Sequence, residues 1–232
     1  MQHRGMELKG GNELSVDDVR AMRPRLRSKI TPRHLDIILQ TGELWHRAIH
    51  VPGDLEIDGD LELAEAKIQV LFVNGDLTVS GRLRDREDEE IESLILVGGN
   101  LKARDLLTFG SLEVHGDVTV EENLVLLDNS CISHIEGNLK ASFAINQYHH
   151  CQVNGEVQIK TLVQDAARIE CSQTLAYCAL DGEAVAGVLN HELIEGEEDE
   201  ESEFGMYVDC VDMQAVTEWI CEGKSVLRAK GR

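Results

Sequence analysis

From about residue 51 to residue 160, apolar and polar residues alternate, and the alternation is broken at intervals by a glycine followed by Asp, Asn or Glu. The phrases are GDLEIDGDLEL (Gly53 and Gly59), VNGDLTV (Gly75), VGGNLKA (Gly99), VHGDVTV (Gly116), IEGNLKA (Gly137) and VNGEVQI (Gly155). A period of two places Leu77 and Val79, or Val118 and Val120, on one face of a short strand and Thr78 or Thr119 on the other. From Gly59 onward the glycines are 16, 24, 17, 21 and 18 residues apart, which centres on a unit of about 17 residues with insertions. A unit this small cannot bury its apolar face alone, whereas stacked copies pair their strands in parallel around one continuous core. The expectation is an all-β fold with helical ends: a single-stranded parallel β-helix, or β-solenoid. At its corners Gly59, Gly75, Gly99, Gly116, Gly137 and Gly155 are expected to turn the chain, while Asp76, Asn100, Asp117 and Asn138 satisfy the turn backbone.

At both ends the pattern changes from strand-like to helical. SVDDVRAM offers Ser15 as an N-cap, and TPRHLDIILQTG offers Thr31 as a cap, Pro32 at the first helical position and Gly42 as a stop. Near the other end, DMQAVTEWICEGKSVL spaces Met213, Val216 and Ile220 as one helical face closed by Gly223. Solenoid ends need cover, so the predicted organisation is a helical cap over 1–48, a solenoid over 49–188, an acidic linker over 189–206 and a C-terminal helical segment over 207–232. Two charged stretches break the pattern. RDREDEEIES (84–93) reads as a loop protruding from a corner, and EGEEDEESE (195–203) as a linker without the spacing or glycine of a calcium loop.

The series VNGDLTV, VGGNLKA, VHGDVTV and IEGNLKA resembles bacterial β-solenoids of the polymer-forming, bactofilin-like class, and a broader group of bacterial solenoid proteins related to them. The resemblance spans about residues 51–160 and implies the solenoid fold and, as a function, end-to-end self-assembly. This chain adds acidic insertions, a helical N-terminal region and the C-terminal stretch AVTEWICEGKSVLR, and capped ends favour discrete particles over filaments.

Composition narrows the function classes. Aromatic residues make up only 4%, so the core must be built from Leu, Val, Ile and Ala. The formal charge is −21, unevenly spread: residues 1–47 hold nine Lys/Arg against six Asp/Glu, and the remainder 13 against 37. An acidic body repels nucleic acid and anionic lipid. The basic run RAMRPRLRSK is read as a cationic segment lying on that body. The opening MQHRGMELKGGNEL has no apolar signal region and no run reaches the roughly 18 apolar residues of a membrane span, so a cytoplasmic protein without membrane contact is expected. Six cysteines without a C-x-x-C pair are expected to be free thiols there. Cys131, Cys151 and Cys171, 20 apart, fit small core residues on successive coils.

Candidate chemistry is sparse. His149 and His150 are the foremost metal candidates, but neighbours in a strand face opposite ways, so a one-sided site needs a histidine such as His134 or His115 from another coil. The recurring Asp and Asn residues are better read as turn chemistry than as catalytic carboxylates, because a catalytic site is local. No nucleophile elbow, phosphate loop or dinucleotide fingerprint is present. The expectation is a non-catalytic scaffold or protein-binding module that needs no cofactor and engages a basic protein partner or a second copy of itself. Alternatives are a self-assembling polymer and, third, a β-helix enzyme acting on a carbohydrate or acyl substrate.

Overall fold

The computed structural model describes residues 8, 10–40, 42–86, 92–127, 131–165, 169–180, 183–198 and 206–229. Two stacks of short strands wind into a parallel β-solenoid of about six turns. The first stack contains Arg47–Val51, Ile68–Val73, Leu94–Val97, Ser111–Val114, Ile132–Ile135, His150–Val153 and Ile169–Glu170, and Asn12–Leu14 adds to its leading edge in the antiparallel sense. The second contains Leu55–Ile57, Leu77–Arg84, Leu101–Thr108, Val118–Leu127, Leu139–Gln147, Val157–Gln164 and Cys178–Ala179. Its long strands shift register midway, between Val79 and Arg82 and again between Val120 and Asn123, so each coil has three walls. In the first coil this bend is a break, and Leu55–Ile57 and Leu61–Glu62 pair with the two ends of Leu77–Arg84.

Register turns the sequence alternation into a core. Ile49, Leu71, Ile95 and Leu112 form one inward row. Leu55, Leu77, Leu101, Val118, Leu139 and Val157 form another, and all are buried. Identical stacking of branched aliphatics fits the narrow interior and the low aromatic content.

The coil is longer than the 17 residues expected. Successive equivalent corners lie 22, 24, 17, 21 and 18 residues apart. The 16-residue step from Gly59 to Gly75 is not a coil, because Gly75 stacks on Gly53 and Gly81 stacks on Gly59. GDLEIDGDLEL therefore holds two different corners of a single coil.

Both helical segments lie along the outer walls. Helix α1 (Val16–Met22) starts at Ser15, whose hydroxyl accepts from the Asp18 N–H while the Asp18 carboxylate accepts from the Ser15 N–H. In helix α2 (Thr31–Ile38) Thr31 is the first helical residue and not the cap; the Ser28 hydroxyl accepts from the N–H groups of Ile30 and Thr31. The helix ends at Ile38 with Leu39 as its C-cap, and Gly42, expected as the stop, lies three residues further on, at φ +78° in the turn closed by its N–H donating to the Leu39 carbonyl oxygen. Val19, Met22, Leu26, Leu35 and Ile38 pack on the outward side chains Ala48, Val70, Phe72, Leu94 and Leu96 of the first wall.

At the other end, helix α3 (Met213–Cys221) is capped by Asp212, whose carboxylate accepts from the Ala215 N–H. Met213, Val216 and Ile220 join Leu107, Val125, Phe143, Ile145 and Val163, the outward apolar row of the bent half of the second stack. The stretch expected as a linker is partly structured: Ile194–Glu198 pairs antiparallel with Met206–Val211. Leu193, Ile194 and Val211 are buried in the same apolar cluster, which ties this hairpin to the solenoid despite its acidic composition. Residues 199–205 lie outside the described set, as do residues 87–91 of the first acidic stretch. Among the described residues no helix is long and apolar enough to cross a membrane.

Candidate functional site

The recurring Asp and Asn residues form one ladder along a corner. Asp54 Oδ1 accepts from the backbone N–H of Asp76 (2.9 Å), Asp76 from Asn100 (2.7 Å), Asn100 from Asp117 (2.9 Å), Asp117 from Asn138 (2.7 Å) and Asn138 from Glu156 (2.8 Å). Asn100 and Asn138 also donate through Nδ2 to the aspartate below, which separates carboxylates that would otherwise repel one coil, about 4.8 Å, apart. The glycines serve this ladder through close approach. A Cβ on Gly116 would lie 2.5 Å from Asn100 Oδ1 and 2.7 Å from the Gly99 carbonyl oxygen, and Gly75, Gly99, Gly137 and Gly155 are equally tight. Among the described glycines of the repeats, Gly59, at φ +97°, is the one that uses the left-handed region, while Lys67 and Tyr148 also take positive φ there.

The candidate histidines are not brought together. His149 is fully buried, with Nε2 2.9 Å from Ser133 Oγ and Nδ1 2.9 Å from the Leu127 carbonyl oxygen. His150 points outward, 3.8 Å from Glu170. His134 lies on the outward side in register with Glu113 and Gln152, so its ring is on the opposite side of the wall from His149. His115 pairs with Glu113 at 2.9 Å. A metal site on His149 with His150 or His134 does not form.

Other polar groups hold the flanks. Glu113 is fully buried and receives the Arg27 N–H at 2.5 Å and the Ser28 N–H at 3.4 Å, so it anchors the turn before α2. Burial alone would raise its carboxyl pKa; hydrogen bonds, first from His115 and then from the Arg27 backbone, outweigh burial and hold it below the ordinary value. Arg25 donates to Asn74 and Arg27 pairs with Glu136, so the basic run does lie on the solenoid. Asp85, from the stretch expected to protrude, is instead 1% exposed and accepts from Arg86, Phe109 and Gly110 N–H groups and from the Ser93 and Thr108 hydroxyls. Arg82 donates to Glu62 (2.6 Å) and to the Cys221 carbonyl oxygen (3.1 Å), fastening the end of α3 to the first coils.

What remains open is the third wall. Its outward row runs Glu56, Thr78, Lys102, Thr119, Lys140 and Gln158, aligned by register and exposed or half-exposed throughout. It is mixed in charge. The acids flank it, in the exposed corner positions Asp54, Asp76, Asp117 and Glu156. Beside this wall a groove of about 500 Å³ opens against the C-terminal segment, lined by Arg104, Glu121, Glu122, Phe143, Lys224 and Leu227 among others. Sequence reading missed the groove because half of its lining comes from residues 220–227, more than 75 positions away from the strands they meet. The alternation at Thr78, Lys102, Thr119 and Lys140 was the available signal.

The molecule is a parallel β-solenoid with a helical module clamped on each of two walls. It matches no protein-family model, no curated protein and no solved structure.

Proposed function

We propose that this protein is a non-catalytic scaffold whose open strand wall, with its acidic corner and adjoining groove, binds a basic segment of a protein partner. One observation carries the reading: two of the three walls are covered by the chain's own modules, while the third presents a flat, register-aligned row of exposed side chains beside a groove. The repeated Asp and Asn residues, spent on the corner ladder, leave the wall as the place where side chains are free to serve recognition. The partner is basic because the exposed Asp54, Asp76, Asp117, Glu121, Glu122 and Glu156 border this surface and the chain carries −21 overall; complementary charge steers such an encounter and makes it salt-sensitive. Six free thiols fit a reducing cytoplasm. The test is affinity capture with the full chain and with a Thr119→Arg, Leu227→Arg double variant. A protein retained by the first and lost by the second supports the reading. A monomer by light scattering that retains nothing beyond what the variant retains overturns it.

A polymer of the bactofilin-like kind is the second reading. It is favoured by the repeat phrases and by Leu55–Ile57, beyond which no further strand pairs among the described residues. Against it, Asn12–Leu14 crosses the leading edge of the first stack in the antiparallel sense, and the last rungs, Ile169–Glu170 and Cys178–Ala179, are two residues each. Short and crossed edges are how sheets avoid growth. Filaments in electron micrographs at high protein concentration would reverse this order.

A further inference from the structure

Of the three cysteines spaced 20 apart, Cys131 does not stack with the others. Register pairs Cys151 with Ser133, and Cys151 is core while Cys171 packs against the core. Cys131 is buried elsewhere, at the corner where the coil enters the first wall, and its thiol lies 3.1 Å from Glu92 Oε2. Helix α2 lies over the first wall, and its His34 is 93% buried there. One donor atom each from His34, Glu92 and Cys131 lies within 4.8 Å of the other two. An imidazole nitrogen, a carboxylate oxygen and a sulfur thus converge from three distant parts of the chain. Glu92 is itself placed by the Gln69 side-chain amide, which donates to the Glu92 carbonyl oxygen at 3.0 Å.

We propose that His34, Glu92 and Cys131 bind one zinc ion that fastens helix α2 to the solenoid. The donor set is the mixed nitrogen, oxygen and sulfur set that zinc accepts, and three protein ligands leave a fourth position for water. Bond lengths of about 2.0–2.3 Å around a tetrahedral ion require ligand atoms about 3.3–3.8 Å apart. The Cys131–Glu92 separation, 3.1 Å, is already close to this, and the three donor atoms, all within 4.8 Å of one another, have about 1–1.5 Å at most to close around an ion. On binding, the S–H bond of Cys131 breaks; the proton leaves to solvent by way of the Glu92 carboxylate that faces it, and the sulfur binds as thiolate. Thiolate and carboxylate together neutralise the dication, so a buried site of this kind carries no net charge of its own. Arg86 Nη2 lies 3.9 Å from the sulfur and donates to the Phe109 carbonyl oxygen, which holds it to the side.

The three ligands come from helix α2 and two separate coils, so the ion acts as a staple between a flanking module and the coil even though its fourth position is left to water, as in open zinc sites; it is separate from the open wall. The experiment uses the full-length protein without a polyhistidine tag, loaded with zinc, passed through gel filtration and assayed for metal, and in parallel titrated with Co²⁺. One zinc per chain is expected, together with the near-ultraviolet thiolate-to-cobalt absorption of a four-coordinate ion. Cys131→Ser and His34→Asn should lose both signals, while Cys210→Ser, at an exposed thiol, keeps them. Glu92→Gln is nearly isosteric at a half-buried position and tests the site without emptying the core. Because even outer partners of metal ligands change affinity 10–100-fold, its zinc affinity should fall by at least about tenfold with the circular dichroism spectrum unchanged. Substoichiometric zinc in the wild type, or equal retention by folded Glu92→Gln and Cys131→Ser, would overturn the assignment.

Discussion

The corner ladder makes a sharp prediction about two glycines that look alike in sequence. Gly116 and Gly53 both precede Asp within a repeat phrase. In Gly116→Ala the new methyl would lie 2.5 Å from Asn100 Oδ1, 2.7 Å from the Gly99 carbonyl oxygen and 2.8 Å from the Gly99 carbonyl carbon. Two of these atoms are backbone, so relief requires parting one coil from the next. Overpacking of this kind costs about 1–3 kcal/mol. Displacing Asn100 also loosens its 2.9 Å bond to the Asp117 N–H, worth about 1 kcal/mol. The combined loss of about 2–4 kcal/mol corresponds to a melting temperature lower by roughly 5–15 °C for a chain of this size. A Cβ on Gly53 meets nothing within 4 Å, and its φ lies outside the left-handed region. Gly53→Ala should therefore be neutral, or stabilising by up to about 1 kcal/mol through the unfolded chain. Thermal melts and urea titrations of both variants decide the matter. Equal melting temperatures for Gly116→Ala and Gly53→Ala would refute the claim that inter-coil contact is what selects glycine at these corners.

Three further outcomes follow from named contacts. Ser133→Ala leaves His149 Nε2 without the hydroxyl it meets at 2.9 Å and should cost about 1–3 kcal/mol, whereas His150→Ala should stay within about 0.5 kcal/mol of wild type; chemical denaturation showing the reverse order would contradict the inward assignment of His149. Glu113 has its folded carboxyl held below the ordinary value of 4.5, so its contribution is fully present above that pH and is lost as pH falls through the folded value. Acidification below about pH 4.5 should lower the wild-type melting temperature, and Glu113→Gln should lack that acid-dependent portion while being cleaved faster than wild type by trypsin at neutral pH after the exposed Arg25 and Arg27. Burial, and then the neighbouring Cys171, push the Cys151 thiol up to about 12, so iodoacetamide at pH 8 should alkylate exposed Cys210 and leave Cys151 unmodified until the protein unfolds; early labelling of Cys151 would contradict its core position.

The solenoid was legible because its information repeats. Alternation at Leu77 and Val79 or Val118 and Val120 states which side chains face inward, and parallel stacking is the only way such short units share a core. The coil length was read too short because GDLEIDGDLEL contains two corners of one coil. Pattern alone treats its two Gly-Asp pairs as equivalent, whereas the structure stacks Gly75 on Gly53 and Gly81 on Gly59. The flanks were misread where charge masks burial. Asp85 and Glu113 look like surface acids in sequence, yet each is buried because several donors converge on it, and nothing local in the sequence announces a donor 25 or 86 residues away.

The same distinction separates the corner from the two surfaces proposed to act. A residue whose role is to stack finds its partner one coil away, at a separation the repeat itself advertises, as Asp76 does with Asn100. A residue that joins a flanking module to the coil finds its partner across the fold, as His34 does with Glu92 and Cys131, or as residues 220–227 do with the strands along the groove. Repetition selects for the first kind of contact in every unit and is indifferent to the second. Positions that break the repeat while being buried are thus the places where this fold acquires properties its repeats do not share. Cys131, which falls 20 residues before Cys151 yet stacks with neither Cys151 nor the core row, is the clearest of these.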